Sequence, residues 1–174
     1  MKKKLPAFTF RTLINKYGHY IKKSLGMGEE AIEQDYNEYM VLQPDASVRD
    51  YMWSLFNRIV LKGSDSSTYS EMGRFVAMYE GKNGNRYHRI RLNEEFKRLK
   101  DEYNYREKGF KWGFYLIGNE RCPHSMKYDG DHDFNEFPNV VPLAGDDCTL
   151  LSCTCCLGAV ALRDASGRLI RTEN

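Results

Sequence analysis

All five cysteines of this 174-residue chain fall in its last third, at Cys122, Cys148, Cys153, Cys155 and Cys156. An odd number of thiols gathered at one end does not make a closed disulfide framework. Thiolates held by a metal in a reducing compartment fit the pattern better. Tetrahedral zinc takes four Cys or His ligands, commonly as two close pairs, because a short turn can aim two side chains at one ion. Cys153 and Cys155 form such a distal pair, with Cys148 five residues earlier and Cys156 adjacent. Cys122 opens a C-x-x-C-like turn, CPHS, whose fourth position is Ser125, a poor zinc ligand. The candidate set is therefore Cys122, Cys148, Cys153 and Cys155, with His124, His132 or Cys156 as substitutes. An all-thiolate site leaves no open position for a water nucleophile, so it is structural and contributes directly to folding. Reduced cysteines packing as small apolar groups are the simpler alternative.

The chain ahead of the cysteines reads as helical scaffold. Phe10, Leu13, Ile14, Tyr17, Ile21 and Leu25 recur at helical spacing, and Gly26 and Gly28 end that segment. Glu29 and Glu30 suit the first turn of a second helix closed by Pro44. The clearest stripe, Val48 to Val60, is capped by Asp45 or Ser47 and is where the core is expected. GSDSS then reads as a linker, and Met72 to Tyr79 as a shorter helix ended by Gly81. GKNGN reads as a turn between extended pieces, followed by a charged helix from about Asn93 to Glu107 with Glu94–Arg98 and Glu102–Arg106 pairs. KWGFYLIG reads as a strand leading to Cys122. The expected fold is mainly α (α+β), with a helical scaffold over 1–110 and a zinc-ribbon-like module with a C-terminal arm over 111–174.

Charge is sorted into blocks. Residues 1–23 carry seven Lys or Arg and no acid; residues 29–45 carry six acids and no base. Such blocks favour contacts between complementary surfaces, within the fold or between subunits. Between Gly81 and Trp112, ten bases face five acids and lie among tyrosines, which makes Arg86, Arg89 and Arg91 candidate phosphate contacts. A solvated helix face paired with the acidic segments explains the same residues. DGDHDFNEF spaces Asp129, Asp131 and Asp133 like a calcium loop, but Phe134 and Val140 stand where glycine and a bidentate glutamate are needed. It reads as an acidic surface loop. No apolar run approaches the roughly 18–20 residues of a membrane span, and MKKKLPAFTF lacks the apolar stretch of a secretory signal. No phosphate-cradling Gly-Lys-Ser/Thr loop or His-Glu-x-x-His motif is present, and Cys122 with His124 two residues on does not make a catalytic pair. The chain reads as a non-enzyme.

Cys122, the VPLAGDDC run ending at Cys148, and the spaced Cys153 and Cys155 followed by Leu157 resemble the cysteine-rich tail of minor head and other structural proteins of tailed bacteriophages. The resemblance covers about residues 119–160. Ser125 departs from it, where a second cysteine belongs, as does Val141–Pro142 in place of Leu-Pro. It implies a virion component made in the host bacterial cytoplasm, joining capsid, portal or connector proteins in an oligomeric assembly near packaged DNA. A zinc-dependent nucleic-acid-binding or regulatory protein using residues 82–111 is the alternative.

Overall fold

A computed structural model describes residues 5–63, 66–104, 109–137, 141–145 and 148–172. Helix α1, Phe10–Leu25, begins where the Thr9 hydroxyl accepts the Thr12 amide and ends at Gly26, whose left-handed φ of 77° a side chain rarely adopts. Its Leu13, Tyr17 and Ile21 are buried, as their spacing predicts. Helix α2, Glu29–Leu42, buries Ile32. Helix α3, Val48–Leu61, supplies the centre of the first core through Tyr51, Met52, Leu55, Phe56 and Ile59. The Tyr51 hydroxyl fastens α3 to α2, donating to Asp35 at 2.8 Å, and Arg58 reaches the same carboxylate at 2.7 Å.

A capping box starts α3: the Ser47 hydroxyl accepts the Asp50 amide, and the Asp50 carboxylate accepts the Ser47 amide at 2.7 Å. The Ser47 hydroxyl bond is also the largest influence holding the Asp50 carboxyl below its usual range. Ser47→Ala is expected to cost about 1 kcal/mol, read as a lower urea midpoint with an unchanged m-value.

Helix α4, Ser66–Phe75, runs into a π-helical turn, Val76–Glu80, which Gly81 closes at φ 63°. The turn buries Val76 and Tyr79 and presents Glu80 to the Trp53 indole N–H at 2.7 Å. Helix α5, Asn85–Asn104, follows. It corrects the expectation of a turn between extended pieces with a helix from Asn93. The Asn83 side chain accepts the Asn85 amide at 2.7 Å, so GKNGN is a helix start and not a hairpin turn. Lys97 pairs with Glu94 and Arg98 with Glu102, replacing the expected Glu94–Arg98 pair; Arg106 lies outside the described residues.

The small sheet has strand order β2-β1-β3, both pairings antiparallel, with β1 at Trp112–Ile117, β2 at Gly130–His132 and β3 at Cys156–Ala161. A four-residue helix, α6 (Pro123–Met126), lies between β1 and β2. Phe114 and Leu116 point into a second core with Leu92, Phe96 and Leu99 of α5 and with Phe134, Val141, Leu143, Cys153 and Cys155. Tyr87, one turn earlier on α5, belongs to the first core. Helix α5 thus spans both cores, whereas the division expected at residue 110 leaves it wholly with the helices. The C-terminal arm forms a hairpin bridged at Arg163 and Leu169 and returns to pair Arg171 with Phe110. The architecture is α+β, about 53% helical.

Candidate metal centre

Three stretches of chain deliver four buried sulfurs to one place. Cys122 stands at the N-terminus of α6, where Pro123 starts the helix without needing an amide partner. Cys148 comes from the following loop, and Cys153 and Cys155 from the segment entering β3. The Cys122 and Cys148 sulfurs are 3.3 Å apart. The Cys153 thiol donates to Cys155, and Cys148 lies within electrostatic reach of both. Cys156, the first residue of β3, is exposed and stands apart from the cluster.

Backbone amides near these sulfurs favour their ionised forms. Burial opposes ionising Cys122, yet the Ser125 amide, the Cys148 thiol, the Thr149 amide and the Ser125 hydroxyl together pull its pKa below the ordinary thiol range. Cys155 is lowered most by the Cys153 thiol; burial opposes, and the Ser125 hydroxyl, the Arg91 charge and the Asn119 amide assist. Their partners go the other way. Cys148 is raised chiefly by burial, against the Leu150 amide, and Cys153 by the bond it gives to Cys155 and then by burial. Within the cluster the thiolate is therefore favoured on Cys122 and Cys155 over Cys148 and Cys153.

Ser125 is buried and lies against the sulfurs of both Cys122 and Cys155. Its oxygen accepts the Asn119 amide at 2.9 Å and donates to the Cys122 carbonyl at 3.0 Å. The fourth position of the CPHS turn thus faces the cluster as a brace, and Cys148 provides the fourth sulfur. His124 instead reaches the Pro142 carbonyl at 2.8 Å, and His132 bridges Glu136 and the Tyr128 carbonyl, both at 2.8 Å. The acidic loop is turned to local use: Asp129 accepts the Gly118 amide, and Asp133 accepts the Asn135 amide and pairs with Lys111.

Helix α5 holds the cysteine segment by its polar side chains. Just ahead of α5 the Gly84 amide donates to the Leu151 carbonyl; on the helix, Asn85 donates to the Leu150 carbonyl at 2.9 Å, and His88 Nε2 meets the Ser152 hydroxyl at 2.9 Å. Arg89 donates to the Ala144 carbonyl at 3.0 Å, and the Asn93 side chain accepts the Val141 amide at 3.1 Å. Arg91, nearly buried, donates to the Cys155 carbonyl at 2.6 Å and pairs with Glu95. Arg86 lies over the ring of its neighbour Tyr87. Two of the three arginines offered as phosphate contacts therefore brace the cysteine segment. Asn85, His88 and Asn93 escaped the sequence reading, although Asn85, His88, Leu92, Phe96 and Leu99 share one helical stripe in which the polar members mark the braces.

Burial, with the charges of Arg91 and Arg74, pushes His88 down to about 4 from an ordinary 6.5. A depressed histidine makes the unfolded chain bind more protons between those values. The stability it contributes is complete above pH 6.5 and is lost as pH falls toward 4. Over that window the protein is expected to lose about 3 kcal/mol through this group. Urea titrations at a series of pH values should show a shallower dependence in His88→Gln.

Zinc–sulfur bonds of about 2.3 Å place neighbouring sulfurs of a tetrahedral site about 3.8 Å apart. Among the described residues no group of three or more His, Cys, Asp or Glu is arranged so that it could hold a metal ion. The Cys122 and Cys148 sulfurs stand in contact, about half an ångström tighter than a zinc site needs. Thiolate is a donor that zinc takes, but the described side chains as they stand are not arranged around an ion. No family model, curated protein or solved structure matches the chain. Among the described residues no helix is long and apolar enough to cross a membrane.

Proposed function

We propose that the protein is a non-enzymatic structural component of a larger assembly, and that zinc on Cys122, Cys148, Cys153 and Cys155 fastens its C-terminal half. The observation that carries this reading is the convergence of four buried sulfurs from three stretches of chain, with nearby backbone amides that favour their ionised forms. Bound there, zinc supplies a tetrahedral cross-link among α6, the 148 loop and the entry to β3, with no open position for substrate. The residues around it act as supports: the Ser125 hydroxyl favours both thiolates, and Arg91 offsets the thiolate charge while holding the Cys155 carbonyl. With Arg89 and Arg91 spent on internal carbonyls, bracing accounts for the basic segment better than phosphate binding does.

The virion setting, with capsid, portal or connector proteins as neighbours, rests on the resemblance of residues 119–160. One surface feature supports assembly. Strand β3 is an edge strand with no charged residue from Cys156 to Ala161, and natural edges left free are usually guarded by charge, proline or a bulge. The setting is tested by fractionating particles from the source culture on a density gradient. The protein is expected at fixed stoichiometry with the major capsid protein; recovery only as a free chain would overturn the virion assignment.

A further inference from the structure

We infer that Cys122 and Cys148 form a dithiol site for two-electron oxidation, taking a small peroxide as oxidant and closing to a disulfide. Their sulfurs are already 3.3 Å apart, about 1.3 Å from bonding distance, and both side chains are buried, so little side-chain freedom is left to lose. The residues lie 26 apart in sequence, so the bond would close a long loop and restrain the unfolded chain. One residue separates Cys153 from Cys155, so a bond between them would close only a tight ring. Cys156 is exposed and outside the cluster.

With hydrogen peroxide, two S–H bonds and the O–O bond break, one S–S bond and two O–H bonds form, and two waters leave. The thiols are oxidised by two electrons and the peroxide is reduced by the same two. The product keeps only two of the four sulfurs free, so the disulfide and a four-thiolate zinc exclude each other. That second consequence rests on the zinc reading, whereas the pairing itself rests on the sulfur geometry alone.

The test treats the full-length protein, as purified and after exhaustive chelation, with one equivalent of hydrogen peroxide at 10 °C. Circular dichroism first verifies that both samples are folded. Remaining thiols are alkylated under denaturing conditions and cross-linked peptides are mapped by mass. In the chelated protein the free thiol count is expected to drop from five to three, with Cys122 joined to Cys148; Cys156→Ser should behave alike, losing two of four. Formation of a Cys153–Cys155 bond first, or of intermolecular dimers through Cys156, would overturn the inference. In zinc-loaded protein oxidation should be at least tenfold slower. Equal rates in the two samples, with zinc shown to be bound, would overturn the mutual exclusion. Absence of zinc from the purified protein would sink the zinc reading while leaving the pairing test intact.

Discussion

Cys155→Ser is expected to lower the thermal midpoint of the zinc-loaded protein by roughly 8–16 °C, and a strong chelator should produce a similar drop in the unmutated chain. Cys155 is the member of the cluster with most at stake. It accepts from Cys153, lies beside Ser125, feels the Arg91 charge, and its own carbonyl holds the Arg91 guanidinium at 2.6 Å. A metal present at about a thousand times its dissociation constant adds about 4 kcal/mol to the folded state, and each kcal/mol moves the midpoint of a chain this size by about 2–4 °C. Differential scanning calorimetry with and without chelator measures it. Cys156→Ser, at the exposed neighbouring thiol, should leave the midpoint and its chelator sensitivity unchanged. Chelator sensitivity that persists at full size in Cys155→Ser would place the metal elsewhere.

Gly84→Ala is the second large effect, and it lies at the joint between α4 and α5. A Cβ at residue 84 would stand 2.2 Å from the Gly73 carbonyl oxygen, a backbone atom that cannot swing aside. The same residue donates its amide to Leu151, so displacing it pulls on the cysteine segment as well. The loss is expected to be about 3 kcal/mol or more, in the upper range for overpacking. Gly18→Ala is the contrast: inside α1 its Cβ would meet nothing nearer than Ile14 Cγ2 at 3.8 Å. There the gain in helix propensity should stabilise by about 0.5–1 kcal/mol. Urea denaturation of both variants gives the comparison; a Gly84→Ala cost no larger than a few tenths of a kcal/mol would show that the α4–α5 joint yields.

The helical part was legible because its stripes are simple: Leu13, Tyr17 and Ile21 on α1 and Tyr51 to Ile59 on α3 are buried where their spacing puts them. The start of α5 was not, because Asn83 and Gly84 are turn formers in isolation and only the Asn83 side-chain cap makes them a helix start. The π-helical turn at Val76–Glu80 carries no local signal in the sequence, although it places Glu80 at the Trp53 indole. In the cysteine end, the residue types marked a candidate set, but where Cys148, His124 and His132 would lie depended on long-range partners. Pro142, Glu136 and Tyr128 occupy the imidazoles, leaving Cys148 beside Cys122. The roles of Arg89 and Arg91 were hidden for the same reason, because charge composition does not reveal a carbonyl waiting 64 residues downstream.

The most direct measurement is zinc content per chain in metal-replete protein, by plasma mass spectrometry after exhaustive gel filtration, for the unmutated chain and single serine variants at 122, 148, 153, 155 and 156. One zinc per chain is expected in the unmutated protein and in Cys156→Ser, with zinc lost or far more easily stripped in the other four. Full retention in those four variants, or no zinc in the unmutated chain, would contradict a four-cysteine zinc centre.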